Sequence, residues 1–141
     1  MPFRFIEHTA DIAFEVESKT IVNLFKDSAL ALRETACEIR KHIGREELTI
    51  ECIEESLEPL LVQFLNELNF LIHTKKWIFN SIRKLDIVQS GNKFHLNCQL
   101  FGGEINSNNC ELKAEIKAVT FHQMKIEKRK DNFFTRIVLD I

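Results

Sequence analysis

A chain of 141 residues has the size of one domain and leaves no room for a second hydrophobic core of similar depth. With 45% hydrophobic and 28% charged residues it is not a disordered tail, and with four Gly and two Pro it is neither a flexible linker nor a collagen-like repeat. A formal net charge of −2, with basic residues scattered except for Lys128-Arg129-Lys130, argues against a surface built to neutralise many phosphates.

Residues 1–141 are therefore expected to form one domain. Met1-Pro2-Phe3-Arg4 carries no apolar run or small-residue cleavage site, so the expected location is cytoplasmic. The most apolar stretch, 57–72, is interrupted by Glu58, Gln63, Asn66, Glu67 and Asn69, so no membrane span is expected. Cys37, Cys52, Cys98 and Cys110 form no Cys-x-x-Cys pair, and four free thiols are expected.

In chain order, residues 3–7 and 11–16 read as two short strands, the second alternating Ile12, Phe14 and Val16 with Asp11, Ala13 and Glu15. His8-Thr9-Ala10 between them reads as a bend. Thr20 is a candidate N-cap, and Ile21, Phe25, Ala29, Leu32 and Ala36 recur at helical spacing, predicting a helix to about Glu38. Leu48, Ile50 and Cys52 alternate as a strand. Ser56 then opens the strongest helix, whose stripe of Leu57, Leu61, Phe64, Leu65, Leu68, Leu71 and Ile72 must face a sheet. Trp77 is expected at the edge of the core.

Residues 82–89 and 93–101 predict a hairpin closed by Ser90-Gly91-Asn92 and ended by Gly102-Gly103, with 104–109 as an exposed loop. Residues 116–128 and 133–141 predict a last hairpin whose tip holds the basic run. Strands grouped as hairpins predict an α+β fold: a largely antiparallel sheet with two main helices packed on one face.

No phosphate-binding Gly loop, zinc-binding His-Glu-x-x-His helix or Gly-x-Ser-x-Gly elbow is present. With no Tyr, phenolic acid catalysis is excluded. His8 and Asp11, two residues apart in a bend, suit either a self-capped turn or a pair aimed at one ion. The alternation Phe133, Thr135, Ile137, Leu139 runs on to Ile141, so Asp140 and a terminal carboxylate stand one residue apart. Two readings remain for these anions: a solvated terminus, or a hard cation bound by oxygen ligands, with Asp11 joining if the first strands lie beside the last. His42, His73 and His95 share no metal-ligand spacing and read as structural or exposed.

Three blocks of this sequence resemble the archease family. They are Glu7-His8-Thr9-Ala10-Asp11-Ile12, followed by the Leu24-Phe25 helix; Leu57-Glu58-Pro59-Leu60-Leu61-Val62-Gln63-Phe64-Leu65-Asn66-Glu67-Leu68; and Glu115-Ile116-Lys117-Ala118-Val119-Thr120-Phe121-His122 with the closing Val138-Leu139-Asp140-Ile141. The chain departs from the pattern at Ala13 and Glu17, where the family usually has Gly, and at Phe121, where it has Tyr.

The resemblance implies a fold related to strand-helix-strand-strand modules. It also implies a non-enzymatic activator of an RtcB-type RNA-splicing ligase that promotes guanylylation and multiple turnover in tRNA splicing and RNA repair. Such a protein meets RNA only through the ligase. The resemblance further implies a divalent metal site on Asp11, Asp140 and the Ile141 carboxylate, calcium first, with magnesium or manganese as alternatives. His8, Lys117 and His122 would lie beside it or against the partner. The competing expectations are a small metal-dependent hydrolase and a general chaperone or small-ligand module. The sequence leaves the oligomeric state open.

Overall fold

The computed structural model describes residues 2–6, 11–121 and 124–141. The chain opens with strands β1, Phe3–Ile6, and β2, Asp11–Ser18, paired antiparallel; the expected bend at 8–10 lies outside the described residues. Thr20 starts helix α1, Ile21–Ala36, as an N-cap. Its extended backbone lets its hydroxyl oxygen accept the Asn23 N–H at 3.0 Å, satisfying one donor that a helix start leaves unpaired. The helix passes directly into a short strand, β3, Cys37–Ile39, and then β4, Glu46–Glu54.

Helix α2, Leu57–His73, follows. Ser56 holds its N-cap position without a side-chain cap bond, so the expected cap is positional only. The apolar stripe is buried at Leu60, Leu61, Phe64, Leu65, Leu68 and Ile72, each side chain contributing about 1.5–3 kcal/mol by removal from water. Strands β5, Trp77–Ser90, and β6, Lys93–Glu104, form the predicted hairpin, and Gly91 takes φ of +63° in its turn. Four strands complete the chain: β7, Cys110–Leu112; β8, Ala118–Thr120; β9, Glu127–Arg129; and β10, Asn132–Asp140.

The fold is α+β with two helices and antiparallel pairing, as the hairpin grouping predicts. The sheet is divided, however. One sheet runs β1-β2-β10-β8 with β9 also on β10, a second runs β4-β6-β5, and β3 pairs with β7. The helices pack on each other and are shared: α1 touches β2 and β10 of the first sheet and β5 of the second, while α2 touches β8, β4 and β5. One apolar cluster fills the space between, from Phe14, Ile137 and Leu139 through Phe25 and Phe64 to Ile78 and Leu100.

Several boundaries differ from the sequence pattern for identifiable reasons. β5 begins at Trp77, not 82, because irregularities at Phe79/Ser81 and Ile82/Lys84 break the alternation and leave Trp77, Ile78 and Phe79 buried in succession. Gly102 and Gly103 lie inside β6; a Cβ on Gly102 would sit 2.8 Å from the Phe79 Cα, so these glycines permit close backbone approach and do not end the strand. The segment 104–109 is not wholly exposed, since Asn109 is buried and its carboxamide donates to the Glu104 carbonyl at 3.0 Å. Among the described residues, the expected strand 116–128 is divided: β8 covers Ala118–Thr120 and β9 begins only at Glu127. All four cysteines are free and buried, and burial first of all raises the Cys37, Cys52 and Cys98 thiols to about 12.

Candidate functional site

β10 lies between β2 and β8, and the register sets which side chains share each row. Ile12 opposes Leu139, Phe14 opposes Ile137 and Val16 opposes Thr135, and this face carries the core side chains. The alternate face pairs Glu15 with Arg136, Ala13 with Val138, and Asp11 with Asp140. The two aspartates are direct cross-strand partners. Side chains so paired have Cβ atoms roughly 4.5–5.5 Å apart on one face, where like charges oppose folding unless compensated.

Asp140 is also held from its other side. It pairs with Ala118 of β8, and its carbonyl accepts the Lys117 N–H at 2.8 Å. Lys117 thus adjoins the row formed by Asp11, Asp140 and Ala118. Ile141 lies one residue past the end of β10 and is exposed, so the final strand stops at Asp140 and does not include the last residue. His8 and His122 lie outside the described residues.

Polar side chains of α2 hold the segment leading into β8. The Asn66 Oδ1 accepts the Val119 N–H at 2.9 Å and its Nδ2 donates to the Val119 carbonyl at 3.1 Å. Asn69 Nδ2 donates to the Ile116 carbonyl at 2.8 Å, and His73 Nε2 accepts the Ile116 N–H at 3.3 Å. These three positions, spaced at helical intervals, give the segment 116–119 the backbone partners that a neighbouring strand would supply. Burial, then the nearby Lys76, lowers the His73 pKa below its usual value, with Glu115 opposing; the neutral ring is the form that accepts this bond. Sequence reasoning missed this row. Its signal was three polar residues, Asn66, Asn69 and His73, recurring at helical spacing on a leucine-rich helix.

Two cross-strand carboxylates can reach one ion at the roughly 2.3–2.6 Å of calcium–oxygen contacts. The donors are all oxygen, which suits calcium, magnesium or manganese and not zinc. Among the described residues no three His, Cys, Asp or Glu side chains gather to hold a metal, so such a site needs an oxygen beyond the two side chains. No helix among the described residues is long and apolar enough to cross a membrane.

Residues 3–141 match the archease protein family. The chain is similar to protein archease of Archaeoglobus fulgidus, 35% identical over the full length of both chains, and to protein archease of Pyrococcus furiosus, 36% identical over 96% of this chain and 95% of that one. In structure it resembles protein 1598 of Methanobacterium thermoautotrophicum, with a TM-score of 0.85, 31% identity and 99% of each chain covered. It also resembles an archease of Thermotoga maritima described as a possible chaperone, with a TM-score of 0.62, 26% identity, and 96% and 94% of the chains covered. This chain belongs to the archease family.

Proposed function

We propose that this protein is a non-enzymatic activator of an RtcB-type RNA-splicing ligase in the cytoplasm, acting in tRNA splicing and RNA repair by promoting guanylylation and repeated turnover. The observation that carries this reading is the register of Asp11 with Asp140 at the exposed end of β10, one residue before Ile141, in a chain of the archease family. Asp11, Asp140 and the Ile141 carboxylate would hold a divalent cation, with calcium as first choice. A bound cation would supply a fixed positive centre that offsets the three anions.

The work of the chain's own residues is positional. β2 and β8 fix β10 from both sides, the Lys117 backbone holds the Asp140 carbonyl, and the α2 amides hold β8. Asp140 and Ile141 are exposed at this held end of β10, as a surface entering a partner's cleft must be. Lys117 borders it on the strand side, and His8 and His122 are proposed neighbours by their place in the sequence.

A chaperone reading is the second possibility, favoured by exposed rings at Phe5, 55% accessible, and Phe121, 56% accessible. Assaying the purified cognate ligase for guanylylation and multiple turnover, with and without this protein, separates the two. Faster guanylylation of soluble ligase supports activation. Higher ligase solubility at an unchanged rate per folded molecule supports the chaperone reading and overturns activation.

A further inference from the structure

The loop 40–45 between β3 and β4 is held more firmly than a connection requires. Asn80 occupies the irregularity in β5 between Phe79 and Ser81, and its side-chain amide donates to the Gly44 carbonyl at 2.8 Å. From α1, Arg33 donates to the Phe79 and Asn80 carbonyls at 3.1 and 3.0 Å, fixing that bulge. Gly44 takes φ of +148°, and a Cβ on Gly103 would lie 2.5 Å from the Ile43 carbonyl oxygen, so the loop rests directly on the β6 backbone. At its start, the Arg40 and Lys41 N–H groups donate to the Asn109 carbonyl at 2.8 and 3.3 Å.

The loop so fixed reads Arg40-Lys41-His42-Ile43-Gly44-Arg45. Arg40 is paired with Glu111, and Arg83 of β5 lies 3.6 Å from Glu47. Lys41 and Arg45 have no carboxylate within ion-pair distance among the described residues. Between the loop and the β5–β6 hairpin opens a cavity of about 390 Å³, lined by His42, Arg45, Asn80, Ser81 and Phe101. A second, of about 480 Å³, lies beside Lys41 and shares His42 and Asn80 in its lining. The Phe101 ring is half-buried, and the Arg83 guanidinium lies 5.5 Å from its centroid.

Two cations without ion-pair partners on a held loop, one beside each of two adjoining cavities, and an aromatic ring in the wall of one are the combination that holds successive phosphates and a base attached to them. An acidic peptide would use the cations and leave the ring unused. A duplex would need more cations than two on a chain of net charge −2. We propose that these adjoining cavities bind single-stranded nucleic acid, with one phosphate at Lys41, another at Arg45 and a base against Phe101. This is a direct contact, separate from any made through a ligase.

The test is fluorescence anisotropy of a short fluorescein-labelled oligouridylate titrated with the intact protein, without ligase, so its result is independent of the activator reading. Saturable binding is expected, with a log–log salt slope of about −1.4 for two single-strand phosphate contacts. Lys41→Ala/Arg45→Ala, two exposed changes that leave the melting temperature in place, is expected to flatten that slope and weaken binding about tenfold or more. Phe101→Leu is expected to weaken binding about fivefold or more with the slope kept. The proposal is overturned if wild type does not saturate, if the double variant binds like wild type, or if polyglutamate competes as well as unlabelled oligonucleotide.

Discussion

Asn66 binds Val119 through both its N–H and its carbonyl, at 2.9 and 3.1 Å, so a side chain of α2 occupies the edge of β8 that faces away from β10. This pair of hydrogen bonds, with those of Asn69 and His73 to Ile116, ties the leucine-rich helix to the strand beside Asp140.

Asn66→Ala is expected to destabilise the protein by about 1–3 kcal/mol, the cost of leaving part-buried backbone groups without partners. Hydrogen exchange at the Val119 amide should accelerate more than at Leu100 in β6. Equal acceleration at both would mean the loss is global and that Asn66 does not act through β8.

His73 makes stability depend on pH. Its folded pKa is lowered, so the unfolded chain binds a proton more readily; the stabilisation is complete above the unfolded value near 6.5 and is lost as pH falls through the lower folded value. Lys76, Lys113 and Glu115 are the charged groups around this ring. Urea melts between pH 8 and 5 are expected to show a decline on the acid side. His73→Gln, which keeps an acceptor for the Ile116 N–H but cannot titrate, should reduce it.

Asp140→Ala should leave the fold intact, within about 0.5 kcal/mol, because removing one of two like charges in register relieves repulsion, and Asp11→Ala is the companion change across the row. Each should abolish both ligase activation and any rise in melting temperature on adding calcium. An Asp140→Ala protein that keeps both properties would remove this acidic row from the proposed working surface.

Leu65→Ala supplies the contrast. Leu65 is fully buried in α2, and its truncation should cost about 2–5 kcal/mol as a cavity. Ligase activation per folded molecule should be unchanged. Thermal melts and turnover on the same samples distinguish this structural loss from the functional loss at Asp140.

Gly102→Ala and Gly91→Asn separate two uses of glycine. A Cβ at Gly102 meets the Ile78 carbonyl oxygen and the Phe79 Cα, so the hairpin must shift, at about 1–3 kcal/mol. Gly91 has open space and needs only a left-handed φ, which Asn tolerates, so its replacement should cost less than about 1 kcal/mol. Denaturant midpoints of the two variants test the order.

Periodicity in the sequence was enough to determine both helices, the antiparallel hairpins at 91–92 and 130–131, and the burial of Leu61, Phe64, Leu65 and Ile137, because each rests on a repeat of local spacing. Local spacing also set Asp140 beside Ile141. It could not bring Asp11 to Asp140, 129 positions away, since that depends on which strands become neighbours and in what register. The division into separate sheets, the start of β5 at Trp77 and the glycine seat under loop 40–45 were equally hidden, because bulges and backbone contacts are set by packing between distant segments. Asn66, Asn69 and His73 were visible as polar breaks in an apolar stripe, but their partners at 116 and 119 exist only once α2 lies against β8.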